Sequence, residues 1–319
     1  MRQAGRSLPE YRRLRQSGDI LTAIKDPALA CEITLQPVQR YGVDAAILFS
    51  DIVVPIEAIG LGVEIVPGRG PVIAEPFSGP RDLDRVRALE PEVDTPYVIE
   101  TIRLAVGALD VPLIGFAGGP FTIASYFIEG GPTRTFERTK SLMHTDPDTF
   151  IELLDRIAEV SLSSLRSQIL AGASAVQLFD SWAGALSRSD YERFVLPSSR
   201  RVLAGLADLG APRIHFGVGT GELLDLMALD ADVVGVDWHV PLATAGQRTA
   251  GRVALQGNLD PVVCLAGFDA VEPEAKRILE EGDGLCGHIF NLGHGVLPGT
   301  DPDVLGRLVE FVHSRGHSA

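Results

Sequence analysis

Residues 111–131, VPLIGFAGGPFTIASYFIEGG, run from an apolar, β-rich stretch through a double-glycine turn into a helical segment that closes on glycine. Near-continuous apolar strands separated by helices are what a parallel sheet covered on both faces requires. The unit recurs: VDAAILFSD (43–51), ASAVQLFDS (173–181), PRIHFGVG (212–219), ADVVGVDWH (231–239), GRVALQGNLD (251–260) and GHIFNLGHG (287–295) each read as a strand leading into a polar, Gly- or Asp-bearing turn. The segments between them, such as DTFIELLDRIAEVSLSSLRSQILAGA (148–173), carry apolar residues at helical spacing. Residues 62–75, GVEIVPGRGPVIAE, alternate around PGRG and predict an inserted β-hairpin. No Pro/Ser/Gly-rich linker divides the chain, so a single domain over 1–319 is expected.

Composition narrows the class. With 45% hydrophobic and 22% charged residues the chain is ordinary for a globular protein with a substantial core. A net charge of −14 argues against a nucleic-acid partner, because phosphate binding needs a basic face. Any anionic ligand must therefore find few, local positive groups. No apolar run approaches the about 18 residues of a membrane span, and no secretory segment opens the chain. Cys31, Cys264 and Cys286 stand far apart without CxxC spacing, which points away from a disulfide framework or thiolate zinc cluster and towards a reducing cytoplasm.

Seven strand–helix units fall one short of a closed (β/α)8 barrel, and the N-terminus bears on the shortage. In such barrels the reactive residues occupy the turns after the strands. The opening MRQAGR reads as such a turn, following a strand that the chain lacks. The expectation is a (β/α)8 TIM barrel with its first strand missing and Met1 internal to the gene product, plus a small β-hairpin insertion. A doubly wound open sheet is the alternative, but no G-x-G-x-x-G follows AILFSD.

Taken together, the turns MRQAGRSLPEYR, FSDIVVPIEAIG, GFAGGPFTIASYFIEGG, QLFDSWAG, HFGVGTGELL, GVDWHVPL, QGNLDP and FNLGHGVLPGTDPD closely resemble the uroporphyrinogen decarboxylase family, in order and along the entire chain. Ser7 stands where family members often carry an aromatic residue. The resemblance implies a (β/α)8 barrel, usually a homodimer. It also implies an enzyme that converts the four acetate arms of uroporphyrinogen to methyl groups, giving coproporphyrinogen, without metal or organic cofactor.

That chemistry needs a group to stabilise a transiently protonated pyrrole, groups to hold carboxylate arms, and a proton supply. For the ring the resemblance points to Asp51, whose carboxylate offers about four acceptor sites for inward-pointing pyrrole N–H groups; on residue type alone, Asp51 reads equally as a helix cap. Arg2 and Arg6 supply guanidinium forks that bind carboxylates bidentately, with Gly5 between them and the backbone at Ala4 as a further donor. Arg15 is either a second-rank member of this rim or an exposed helix residue. Tyr126, Ser181 and His294 complete the set implied for substrate binding; on residue type alone they read as a satisfied tyrosine, a helix cap and a loop histidine. The family pattern places Arg2 beside the reacting arm, but arginine hardly deprotonates, so His294 and a bound water remain alternatives as proton donor.

Two competing readings follow. Corrinoid-linked methyltransferases share the barrel but use zinc, with cysteines where this chain has Gly217 and His294; only His215 is left of three ligands, too few for a catalytic zinc. A non-catalytic porphyrinogen-binding barrel is the other. His144, His239 and His288 receive no role.

Overall fold

The computed structural model describes residues 7–14, 19–66 and 68–315. Each of the seven apolar runs contains one strand: β1 (Ala46–Ile47), β4 (Leu113–Gly118), β5 (Ala175–Phe179), β6 (Arg213–Phe216), β7 (Val233–Gly235), β8 (Ala254–Leu259) and β9 (His288–Leu292). They form one sheet in the order β1-β4-β5-β6-β7-β8-β9, and every neighbouring pair is parallel. Between β1 and β4, β2 (Val63–Val66) and β3 (Gly70–Ile73) pair antiparallel as a separate hairpin.

The sheet is strongly curled. β5 and β8 lie three places apart, about 14 Å in a flat sheet at the usual strand spacing. Yet Gln256 on β8 donates its side-chain amide to Gln177 on β5 at 3.2 Å, so the two side chains meet across the concave interior. The helices close in step. α1 (Pro27–Tyr41) precedes β1, α8 (Pro302–Arg315) follows β9, and the two pack together. His313 on α8 meets Asp44 at 3.1 Å, and Tyr41 of α1 joins Phe311 in one apolar cluster.

Between α1 and α8 the helical layer includes α2 (Pro96–Ala108), α3 (Pro120–Glu129), α4 (Pro147–Leu170), α5 (Leu196–Ala204), α6 (Leu242–Arg248) and α7 (Phe268–Gly282), with further helical pieces between them, Glu137–Thr145 among them. α4 shows why such a segment is helical. Pro147 occupies its first turn, the Asp146 side chain accepts the Thr149 N–H at 3.2 Å, and Phe150, Leu153, Leu154, Ile157 and Leu165 fall on one buried face. Val176 and Leu178 on the outer face of the sheet pack in one cluster with Leu165, Val202 and Leu203. α4 also finishes the ladder where β1 is too short. β1 ends at Ile47, opposite Ile114, so Phe116 on β4 has no strand partner on that side. The Gln168 amide replaces it, accepting the Phe116 N–H at 2.8 Å and donating to the Phe116 carbonyl at 2.9 Å.

Parallel pairing puts all strand C-termini on one edge, and the turns leaving that edge touch in sequence. The Cα of Gly184, beyond β5, lies against the Val218 carbonyl and Gly219, beyond β6; a Cβ there would sit 2.7 Å from the Gly219 carbonyl carbon. Gly219 N–H donates to Asp237 beyond β7 at 2.6 Å. Gly293, beyond β9, abuts the same turn, with Trp238 N 2.7 Å from where its Cβ would be. Gly184→Ala should therefore overpack this edge and cost about 1–3 kcal/mol. A melting midpoint equal to that of the wild type would show that the turns are not in fixed contact.

Candidate active site

The sequence-predicted residues divide into two groups. Arg2, Ala4, Arg6 and Arg15 lie outside the described residues. Asp51, Tyr126, Ser181 and His294 are all described and all sit at the C-terminal edge of the sheet: Asp51 beyond β1, Tyr126 on α3 beyond β4, Ser181 beyond β5 and His294 beyond β9.

Asp51 is 8% exposed. Its Oδ1 accepts the Val53 N–H at 3.3 Å and its carbonyl accepts the Val54 N–H at 3.1 Å, so the residue does turn the chain into the helix Val54–Ala58. Ile52 beside it packs against Gly118 at the end of β4.

Tyr126 is brought against the turn that carries Ser181. The Tyr126 ring lies over Trp182, the residue after Ser181, with centroids 4.1 Å apart and planes tilted by 30°. Behind them the end of the hairpin and the segment after it brace α3: Phe77 N–H donates to the Phe127 carbonyl at 2.9 Å, and Ile73 N–H to the Gly130 carbonyl at 3.1 Å. His294 is exposed and reaches a different neighbour, Phe216, at 6.2 Å. Phe216 continues edge-to-face to Phe179 at 5.7 Å and on to Phe116 at 5.3 Å, an aromatic arc along the inner ends of β4, β5 and β6.

The structure adds groups that residue-by-residue reading passed over. Asp180, immediately before Ser181, is fully buried. The Thr122 hydroxyl donates to Oδ1 at 3.0 Å, Ser199 stands 3.5 Å from Oδ2, and Thr122 Oγ1 in turn accepts the Trp182 N–H at 3.2 Å. Asp180 thus ties the Ser181 turn to the helix bearing Tyr126. Burial pushes its carboxyl up to about 6, against the pull of the hydroxyl bonds. Asp237, two residues beyond the end of β7, is likewise buried and accepts from the ring nitrogen of His239 at 2.7 Å. In both cases the available signal was an acid ending an apolar strand run, LFD and GVD.

His215 has no place at this edge. It is buried on β6, with Nδ1 3.2 Å from the Met227 carbonyl in the helical layer, and burial lowers its pKa to about 4. Among the described residues, no three His, Cys, Asp or Glu side chains converge as metal ligands.

A curled parallel sheet inside a helical layer, with its distinctive side chains gathered at the strand carboxyl ends, defines an α/β enzyme of TIM-barrel-like architecture. The chain belongs to the uroporphyrinogen decarboxylase family: the family model described as "Uroporphyrinogen decarboxylase (URO-D)" matches residues 1–315. The curated uroporphyrinogen decarboxylase of Salinispora tropica is 60% identical over 315 residues, 98% of this chain and 85% of that protein. That of Streptomyces coelicolor is 59% identical over 317 residues, 99% of this chain and 89% of that protein. Among solved structures, a methyltransferase from Methanosarcina mazei matches with a TM-score of 0.80 at 22% identity, over 94% of this chain and 92% of that one. A B12-independent methionine synthase from Shewanella sp. W3-18-1 gives 0.60 at 13% identity, over 92% and 89%. At those identities the likeness is one of fold.

Asp180 and His215 oppose each other in pH. A carboxyl raised to about 6 favours the fold below its unfolded value near 4 and loses that contribution as pH rises to about 6. A histidine lowered to about 4 favours the fold above about 6.5 and loses it as pH falls. Asp180→Asn should leave only the second slope, so the variant's stability rises between about pH 4 and 6.5 more steeply than the wild type's. Parallel denaturation curves for the two proteins across that window would contradict the burial of an ionisable Asp180.

Proposed function

We infer that this chain removes CO₂ from the acetate side chains of uroporphyrinogen to give coproporphyrinogen in tetrapyrrole biosynthesis. The observation that carries the reading is the family match across residues 1–315, on a fold whose strand-end turns hold Asp51, Ser181 and His294 and whose helix α3 carries Tyr126. Protonation of a pyrrole carbon makes the ring an iminium. The C–C bond to the carboxylate then breaks, its electrons enter the ring, and CO₂ leaves. A proton added to the exposed methylene gives the methyl group, and loss of the first proton restores the pyrrole.

In this reading Asp51 accepts pyrrole N–H groups and its charge stabilises the cationic ring. A preorganised charge in a water-poor site is worth several kcal/mol. The aromatic arc of Phe116, Phe179 and Phe216 gives the macrocycle an apolar surface beside that carboxylate. Tyr126, Ser181 and His294 donate to the carboxylate arms, and Arg2, Arg6 and the Ala4 backbone grip them from the N-terminal turn. Neither a metal nor an organic cofactor enters the scheme. We further propose that the sheet belongs to a (β/α)8 barrel, that the protein works in the cytoplasm, and that it is a homodimer.

Anaerobic incubation of the protein with uroporphyrinogen should yield coproporphyrinogen; recovery of unchanged substrate would overturn the reading. Asp51→Asn keeps shape and an acceptor oxygen but removes the charge, so turnover should fall at least ~100-fold with an unchanged melting midpoint. Near-normal turnover with a lowered midpoint would make Asp51 a turn residue only. Exhaustive chelation should leave the rate unchanged, and loss of activity restored by zinc would favour metal-dependent chemistry.

A further inference from the structure

The Asp237–His239 pair beyond β7 is built as a site. Asp237 is 2% exposed in its side chain, while that of His239 is 54% exposed. Asp237 Oδ1 accepts the His239 main-chain N–H at 3.2 Å, and Oδ2 accepts the Gly219 N–H at 2.6 Å and His239 Nδ1 at 2.7 Å. A carboxylate can only accept, so Nδ1 carries a proton and Nε2 is the ring atom turned away from Asp237. Two further contacts fix the arrangement. Trp238 stacks on the His239 ring at 4.7 Å, and the buried Asn258 amide donates to the carbonyls of Asp237 at 3.0 Å and Val240 at 2.6 Å.

The pair stands between residues already placed at the mouth. Through Gly219 its turn adjoins Gly184, three residues beyond Ser181, and through Trp238 it adjoins Gly293, the neighbour of His294. In the four adjoining turns, residues 180–187, 217–220, 236–241 and 293–299, His239 and His294 are the basic side chains. A polyanionic substrate entering a protein of net charge −14 meets local cations or none.

We propose that His239, held by Asp237, is a further substrate-binding residue of this site, donating from Nε2 to a carboxylate arm of the porphyrinogen. The proposal rests on the decarboxylase reading. Donation from Nε2 as well as Nδ1 needs the doubly protonated ring, which a carboxylate on each side favours, and each hydrogen bond is then charge-assisted. Asp237 is a positioning residue: it accepts from Nδ1 and aims the ring.

Steady-state kinetics of uroporphyrinogen decarboxylation by the full chain and two variants tests this. His239→Ala should raise KM about tenfold, with a much smaller effect on kcat and no change in melting midpoint. His239→Gln, which keeps an N–H donor of similar reach, should bring KM back to within about threefold of the wild type. A KM for His239→Ala within twofold of the wild type would overturn the proposal while leaving the decarboxylase reading intact. So would Gln failing to improve on Ala with both variants melting lower, which would make the pair a brace for its turn. Absence of turnover by the wild type would overturn the decarboxylase reading itself, and this proposal with it.

Discussion

The hydrogen bond from Gln256 to Gln177 joins strands three places apart, and the curl that permits it is the constraint on which the mouth depends. In a flat parallel sheet the turns beyond β1 and β9 would stand at opposite ends of the strand edge. Curling bends that edge into an arc, so His294 reaches Phe216 across two intervening strands. Side chains from distant parts of the sequence then share a concave surface without any one loop having to be long. The outer helices hold the curvature, with α1 and α8 in contact and the Gln168 amide completing the ladder where β1 ends early.

Two strands end on a buried aspartate at this edge, and their surroundings separate their roles. Asp180 is bonded to Thr122 through its hydroxyl and its main chain, with the Ser199 hydroxyl more distant. Desolvation outweighs these bonds, so its carboxyl is raised, and its use is to fasten the Ser181 turn to α3. Asp237 instead meets two main-chain N–H groups and an imidazole that remains half in solvent. The first acid works inward on packing; the second aims a side chain outward. Two aspartates one residue apart in strand register thus do different work: one is tied to Thr122 on α3, the other to an imidazole and the Gly219 turn.

That contrast marks what the sequence could reveal. The parallel sheet was legible because strands buried on both faces must be continuously apolar, and VPLIGFAGG or ASAVQLFDS satisfies that rule by itself. Asp51, Ser181 and His294 were legible as residues of the turns after strand runs and Tyr126 as part of the helical segment after another, while their roles came from the resemblance. Asp180 was hidden because an acid after an apolar run reads as an ordinary cap, and its burial depends on Thr122 and Ser199, which lie 58 and 19 residues away. His239 was passed over for the same reason. Its two-residue spacing from Asp237 is visible, but the orientation depends on Gly219 and Asn258, contributed by other strands. The readings on Arg2, Ala4 and Arg6 rest on the resemblance, since those residues lie outside the described structure.

The acidic balance of the chain does not conflict with a polycarboxylate substrate, because charge acts over limited range. At physiological ionic strength the Debye length is about 8 Å, so carboxylates across the outer helices are largely screened from the mouth. Many are also paired there: Arg166 with Asp208 at 2.7 Å, Arg188 with Asp225 at 2.6 Å and Arg213 with Asp232 at 2.8 Å. Inside the mouth the screening weakens and each nearby group counts for more. There Asp180 is bonded to Thr122 and Asp237 to N–H donors, while the imidazoles of His239 and His294 stand towards solvent. The local field at the mouth is thus set by which side chains the curl exposes at the strand ends, and the net charge of the whole chain has little say in it.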